Sequence, residues 1–379
     1  MKKVFYLGVF FLLLFEIAHV YFIMPMPGSQ EMNSLDVAYF LHSWRMGFRV
    51  LFAGMILAGF KSAFSGSKWL PFVALLPVGV VAYMANAEMA ADTMFYQPTT
   101  LQLQAASANA VEGDRLILGV EHNGQAKAYP IQFLGYHHQV RDSIGGKPIM
   151  VTYCTVCRTG RVFEPVVNGK TETFRLVGMD HFNAMFEDKT TRSWWRQATG
   201  EAVAGPLKGQ ILPEFPSVQT TLSTWLEWHP DALIMQPDVA FQEEYDDMST
   251  YEKGRLTGRL TRRDTASWQP KSWVVGVTLG SDSKAYDWNQ LSKEGIIYDQ
   301  INNRPIAVIL SKDSSSFVVL ERTGKDQVFT LRNDTLISFD NRYTFLGVSL
   351  DKNLPDLQKL HAYQEYWHSW KTFHPFTQK

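Results

Sequence analysis

The chain has 379 residues, enough for two or three domains with a sizeable core. A formal net charge of −1 gives no reason to expect nucleic acid or a strongly acidic partner. Two cysteines cannot staple a chain of this length, but they suffice for one local disulfide, half a metal site or a redox pair.

Residues 1–90 read as transmembrane helices at about 4–24, 46–64 and 69–86. The first run, Val4–Met24, is apolar except for Glu16 and His19. It is long and no A-x-A-like cleavage site follows, so a retained span is expected rather than a signal peptide. Lys2, Lys3, Lys61 and Lys68 fall on one side of the three spans, which the positive-inside rule makes cytoplasmic. Arg45 and Arg49 fall on the other side and count against that orientation. Everything after about Glu88 is then expected outside the cytoplasm. Glu16 and His19 lie one helical turn apart within a span; such residues are functional candidates by default, and a polar contact between helices is the simpler reading.

A linker at 91–113 precedes an α+β, β-rich region made of two tandem copies of a β-meander unit, each closed by a short helix. Strands are predicted at Leu116–His122 and Gln125–Pro130 around the hairpin signal Asn123-Gly124, with further turns at Gly145-Gly146 and Asn168-Gly169. A helix over Thr220–Trp228 stops at His229-Pro230. Leu118–Cys154 aligns without a gap to Val275–Ser311 at an offset of 157, with eleven of 37 positions identical. The helix recurs as well, Trp225–Pro230 resembling Trp370–Pro375. The first copy spans 114–240, a linker 241–270, and the second copy 271–379. Ser311 and Ser314 replace Cys154 and Cys157 in the second copy, so the special chemistry belongs to the first.

That chemistry centres on the cysteines. Ile149, Val151 and Tyr153 alternate along a predicted strand; Cys154-Thr155-Val156-Cys157, a C-x-x-C spacing, follows it. Arg158-Thr159-Gly160 then turns the chain into a second strand at Arg161–Glu164, so the pair caps a β-hairpin or a single helical turn. Thiol–disulfide chemistry needs a thiolate, and nearby positive charge favours one. Arg158 adjoins Cys157, His137 precedes the cysteine strand, and His181 in Asp180-His181-Phe182-Asn183 is a candidate site wall. The catalytic candidates are therefore Cys154, Cys157, Arg158, His137 and His181. Trp194 and Trp195 are candidate pocket linings, and Glu201 a candidate acid or base. The alternative is zinc or copper held by Cys154, Cys157 and His137, with no second C-x-x-C to complete the set. A static disulfide in a binding or structural module is the third reading. No phosphate-binding glycine loop or serine-nucleophile elbow is present, and outside the metal alternative no cofactor is predicted.

Across about Asp114–Asp238 the chain resembles a bacterial family known as domain of unknown function 3179. The resemblance rests on Ala128-Tyr129-Pro130, His137…Asp142, Tyr153-Cys154-x-x-Cys157, Ser193-Trp194-Trp195, Gly200-Glu201-Ala202, Gly205-Pro206-Leu207-Lys208-Gly209 and Trp225…His229-Pro230. It implies a membrane-attached or exported bacterial protein without a settled activity. Here that means a multi-pass inner-membrane protein with its soluble part in the periplasm and a small-molecule or protein redox partner. Selenocysteine in this motif in some members suggests redox chemistry. Many members have Gly after the second cysteine where this chain has Arg158.

Overall fold

The computed structural model describes residues 1–379 and is α+β, β-rich, with three long apolar helices leading the chain. It divides into two compact units, Met1–Tyr96 with Glu172–Ile211, and Gln97–Thr171 with Leu212–Lys379.

In the first unit, helices Lys2–Tyr21, Arg45–Gly66 and Leu70–Glu88 are long and apolar enough to cross a membrane. The last continues from an α-helix into one π-helical turn at Met84–Glu88. A short helix at Leu35–Ser43, absent from the sequence reading, joins the first two. Glu16 is buried and bidentate with Arg49, Nε–Oε1 2.7 Å and Nη2–Oε2 2.8 Å, and Asn86 Nδ2 donates to Oε2 at 3.0 Å. The charge of Arg49 is thus paired within the first unit. The unit also contains a four-stranded sheet, ordered Ala202–Ala204, Trp194–Arg196, Asn183–Asp188, Phe174–Asp180. Val177, Met185, Trp194 and Val203 from this sheet share a core with Val20, Ile23 and Met24 at the end of the first helix. Sequence boundaries put Glu172–Ile211 inside the first repeat; its contacts group it with the N-terminal helices instead.

The second unit holds the two copies. Strands Leu116–His122 and Gln125–Pro130, helix Ile131–His137, then strands Gln139–Ile144 and Lys147–Cys154 recur as Trp273–Leu279, Asp282–Asp287, Trp288–Glu294, Ile296–Ile301 and Arg304–Leu310. Register repeats too, Gly119 facing Ala128 and Gly276 facing Ala285. The closing strand and helix, Val218–Thr221 with Leu222–Trp228, recur as Ala362–Tyr366 with Trp367–Phe373. In each copy the helix tryptophan lies against the glycine of the copy's first strand: a Cβ on Gly119 would come within 2.6 Å of the Trp225 ring, and one on Gly276 within 2.1 Å of Trp370. Only glycine admits that approach. The unit differs from a plain meander by the helix after its second strand, which in the first copy is buried along its whole length. A lysine and an aspartate tie the two sheets of each copy together, joined in the first copy by a tyrosine. Lys127 Nζ and Tyr129 Oη both lie 2.7 Å from Asp142 Oδ2, and Lys284 Nζ lies 2.6 Å from Asp299 Oδ2.

Candidate functional site: the cysteine turn and its cover

Strands Lys147–Cys154 and Thr159–Phe163 pair antiparallel, with Cys154 opposite Thr159. The cysteine pair does cap a β-hairpin, but the turn is Thr155–Arg158, ahead of the expected Arg158-Thr159-Gly160. Two observations explain the shift. Arg158 takes φ +56°, the left-handed conformation that glycine adopts most readily. Gly160 is needed elsewhere, because a Cβ there would fall 2.7 Å from the Leu118 side chain. The glycine that the resemblance leads one to expect after the second cysteine thus has a conformational equivalent here in an arginine.

Arg158 is 1 % exposed, and its guanidinium does not stay with the thiols. Nε donates to Gln364 Oε1 at 2.9 Å and Nη2 to the Glu252 carbonyl at 2.9 Å, while the group stacks 3.8 Å over the Trp273 ring. Its strained turn is held by these contacts, all from segments C-terminal to the first copy.

The turn's carbonyls face a cover assembled from the same later segments. Tyr251 Oη donates to Thr155 O at 2.8 Å, and the Tyr366 amide to Cys157 O at 2.9 Å. Lys271 Nζ donates to Val156 O and to Leu260 O, each at 2.6 Å, and lies 3.2 Å from His368 Nε2, itself 3.1 Å from Val156 O. Burial pushes the Lys271 ammonium down to about 8, against the opposing pull of Cys157 and then Cys154. It is therefore charged at neutral pH. Burial, then the Lys271 charge, pushes His368 down to about 4, so its imidazole is neutral. Cys154 and Cys157 are thiols with no exposed surface. A single positive charge is thus held against a covered dithiol, the arrangement that favours thiolate.

The second copy returns the contact. Its corresponding turn is capped by Asp313, which accepts from the Ser315 amide at 2.9 Å and from Thr221 and Thr224 hydroxyls of the first copy, each at 3.0 Å. Thr221 N donates to Ser316 Oγ at 3.0 Å, as Tyr366 N donates to Cys157 O. Each copy's turn therefore docks on the helix N-terminus of the other. At the offsets that relate the copies, Lys271 corresponds to Asp114, His368 to Ser223 and Val156 to Asp313.

The remaining sequence candidates have their own partners. His137 is buried, its Nε2 2.6 Å from the Tyr245 hydroxyl. His181 belongs to the first unit, where Nδ1 pairs with Asp180 Oδ1 at 2.6 Å and Arg196 holds Oδ2 at 2.6 Å. Trp194 and Trp195 are core residues whose indole N–H groups bond Glu187 and Asp188 at 3.1 and 3.0 Å. Glu201 pairs with Arg196 at 3.3 Å. No three His, Cys, Asp or Glu side chains come together as metal ligands, so His137 does not complete a site with the cysteines. Lys271, His368 and Tyr251 were missed in the sequence; the one signal was the alignment of Lys271 with Asp114, a charge reversal between copies.

These features define a class: a duplicated β-rich domain with a covered dithiol in one copy, on a chain led by three apolar helices. The chain belongs to the family described as protein of unknown function (DUF3179), whose model matches residues 96–377. No curated protein and no solved structure matches it.

Proposed function

We propose that Cys154 and Cys157 form a thiol–disulfide redox couple in the periplasmic part of a bacterial inner-membrane protein, with Lys271 favouring the reactive thiolate. The observation that carries this reading is the Lys271 ammonium, bonded into the cysteine turn at 2.6 Å and electrostatically coupled to both sulfurs. In the step, one thiolate attacks a sulfur of a small disulfide and expels its first thiolate. The second cysteine, losing its proton, then attacks the mixed disulfide and expels the other. The pair ends oxidised, the small disulfide reduced to two thiols. Burial of both sulfurs favours a small partner over a docking protein. Arg158 acts as a clasp for the turn.

The test uses the full chain in detergent. Two thiols should titrate after reduction and none after mild oxidation, with a potential above the roughly −300 mV below which structural disulfides lie. Lys271→Met should raise the thiol pKa, followed by ultraviolet thiolate absorbance, by about one unit. The sign follows from Lys271 being charged below about pH 8: the variant differs from the parent at neutral pH and converges on it well above pH 8, where the parent lysine is also neutral. An unchanged thiol titration in Lys271→Met, or a potential as low as a structural disulfide's, defeats the reading.

A further inference from the structure

The first unit carries a second built site, remote in the chain from the cysteines. At the helix ends opposite Lys2, Lys3, Lys61 and Lys68, a cavity of about 330 Å³ is lined by His19, His42, Arg45, Arg175 and Arg192, with Asn86 and Asp92. Its charges do not cancel. Arg175 spans Glu187 at 2.9 Å and Asp92 at 3.0 Å, and Arg192 Nη1 reaches Glu187 at 3.1 Å. Those two carboxylates serve two arginines, Glu187 also lies 3.2 Å from His42 Nε2, and Glu16 serves Arg49. Arg45 has no carboxylate within ion-pair reach; its Nη1 donates to the His42 carbonyl at 2.6 Å.

Two imidazoles supply the independent observation. His19 is 6 % exposed and His42 9 %, and in each Nδ1 is buried with no hydrogen-bond partner. A buried polar nitrogen left unsatisfied costs free energy, so two of them beside one cavity mark a place where a ligand restores what the protein does not provide. Guanidinium forks match an anion with several acceptor oxygens. The helix ends put this cavity at the depth where lipid headgroups lie if the three apolar helices span a bilayer.

We propose that this cavity binds a phosphate group, with Arg45 and Arg192 as its charged contacts and the unpartnered Nδ1 atoms of His19 and His42 as further polar contacts. The phosphate is that of a lipid headgroup or of a free phosphate compound.

The experiment takes delipidated full chain in detergent and measures binding by native mass spectrometry. The probes are phosphatidylglycerol, phosphate-free diacylglycerol and inorganic phosphate. One phosphatidylglycerol should bind and diacylglycerol should not. Arg45→Gln and Arg192→Gln should each weaken binding about tenfold, the loss expected for one charge-assisted hydrogen bond. The Arg192 side chain is 62 % exposed, so its variant should keep the parent's thermal unfolding and separates lost binding from lost folding. Displacement of the lipid by excess inorganic phosphate identifies a site for free phosphate, and lipid binding indifferent to it identifies a headgroup site. Binding equal in parent and both variants, or no binding of either phosphate probe, overturns the proposal.

Discussion

The two hairpin turns of the second unit occupy equivalent places and are satisfied in opposite ways. In the second copy an aspartate, Asp313, caps its own turn and gathers hydroxyls from the first copy. In the first copy no such acid exists at Val156; the turn's carbonyls are taken by Lys271 and Tyr251 and its Cys157 carbonyl by the Tyr366 amide. The comparison separates framework from chemistry. What both turns share is docking on the partner copy's helix, and what only one has is two thiols facing a cation.

That contrast can be broken at its strongest point first. Arg158→Ala should destabilise the full chain by about 3 kcal/mol or more, since it empties a buried volume and leaves Gln364 and the Glu252 carbonyl short of a donor. Chemical unfolding in detergent measures this; a stability equal to the parent's would show that the clasp is idle.

Next comes Glu252, whose carbonyl Arg158 holds. Burial pushes its carboxyl up to about 7, because the nearest cation, Arg115 at 3.7 Å, is beyond hydrogen-bond reach. The folded chain keeps this proton where the unfolded chain has already lost it, so stability falls as pH rises from about 4.5 to about 7. Glu252→Gln removes that penalty. It should stabilise the protein at pH 8 by up to about 3 kcal/mol and leave it nearly unchanged at pH 4. Thermal unfolding at the two pH values gives the answer, and a gain of equal size at both would point to packing rather than charge.

Smaller again is Asp313→Ala, expected to cost about 2 kcal/mol through several lost acceptor contacts, with no effect on thiol titration. A shift in the thiol titration of that variant would mean that the two turns are coupled rather than merely alike.

Much of this framework was legible in the sequence because the repeat is gapless: an offset of 157 carries five consecutive elements from one copy to the other. The spans were legible because apolar length alone marks them. The helix Ile131–His137 was not, because a helix buried on every side shows no apolar stripe to betray its period. The site was half legible. Cys154 and Cys157 are local, but Lys271 and His368 reach the turn from more than a hundred residues away, and only tertiary pairing of the copies brings them there. Arg158 was read as an electrostatic partner of the thiols; its neighbours Trp273 and Gln364, unforeseeable from local sequence, draw its guanidinium to other partners.

The exchange of turns also has a bearing on assembly. Each copy lends its helix N-terminus to the other, as subunits do across a two-fold axis in a self-complementary dimer. In a true dimer of identical chains, every residue change appears on both sides at once, so a lysine placed at one turn is placed at both. Joining the halves in one polypeptide keeps them at high effective concentration through the segment between them. It also lifts that constraint, so that one face keeps a serine-rich, acid-capped turn while the other acquires cysteines and a cation.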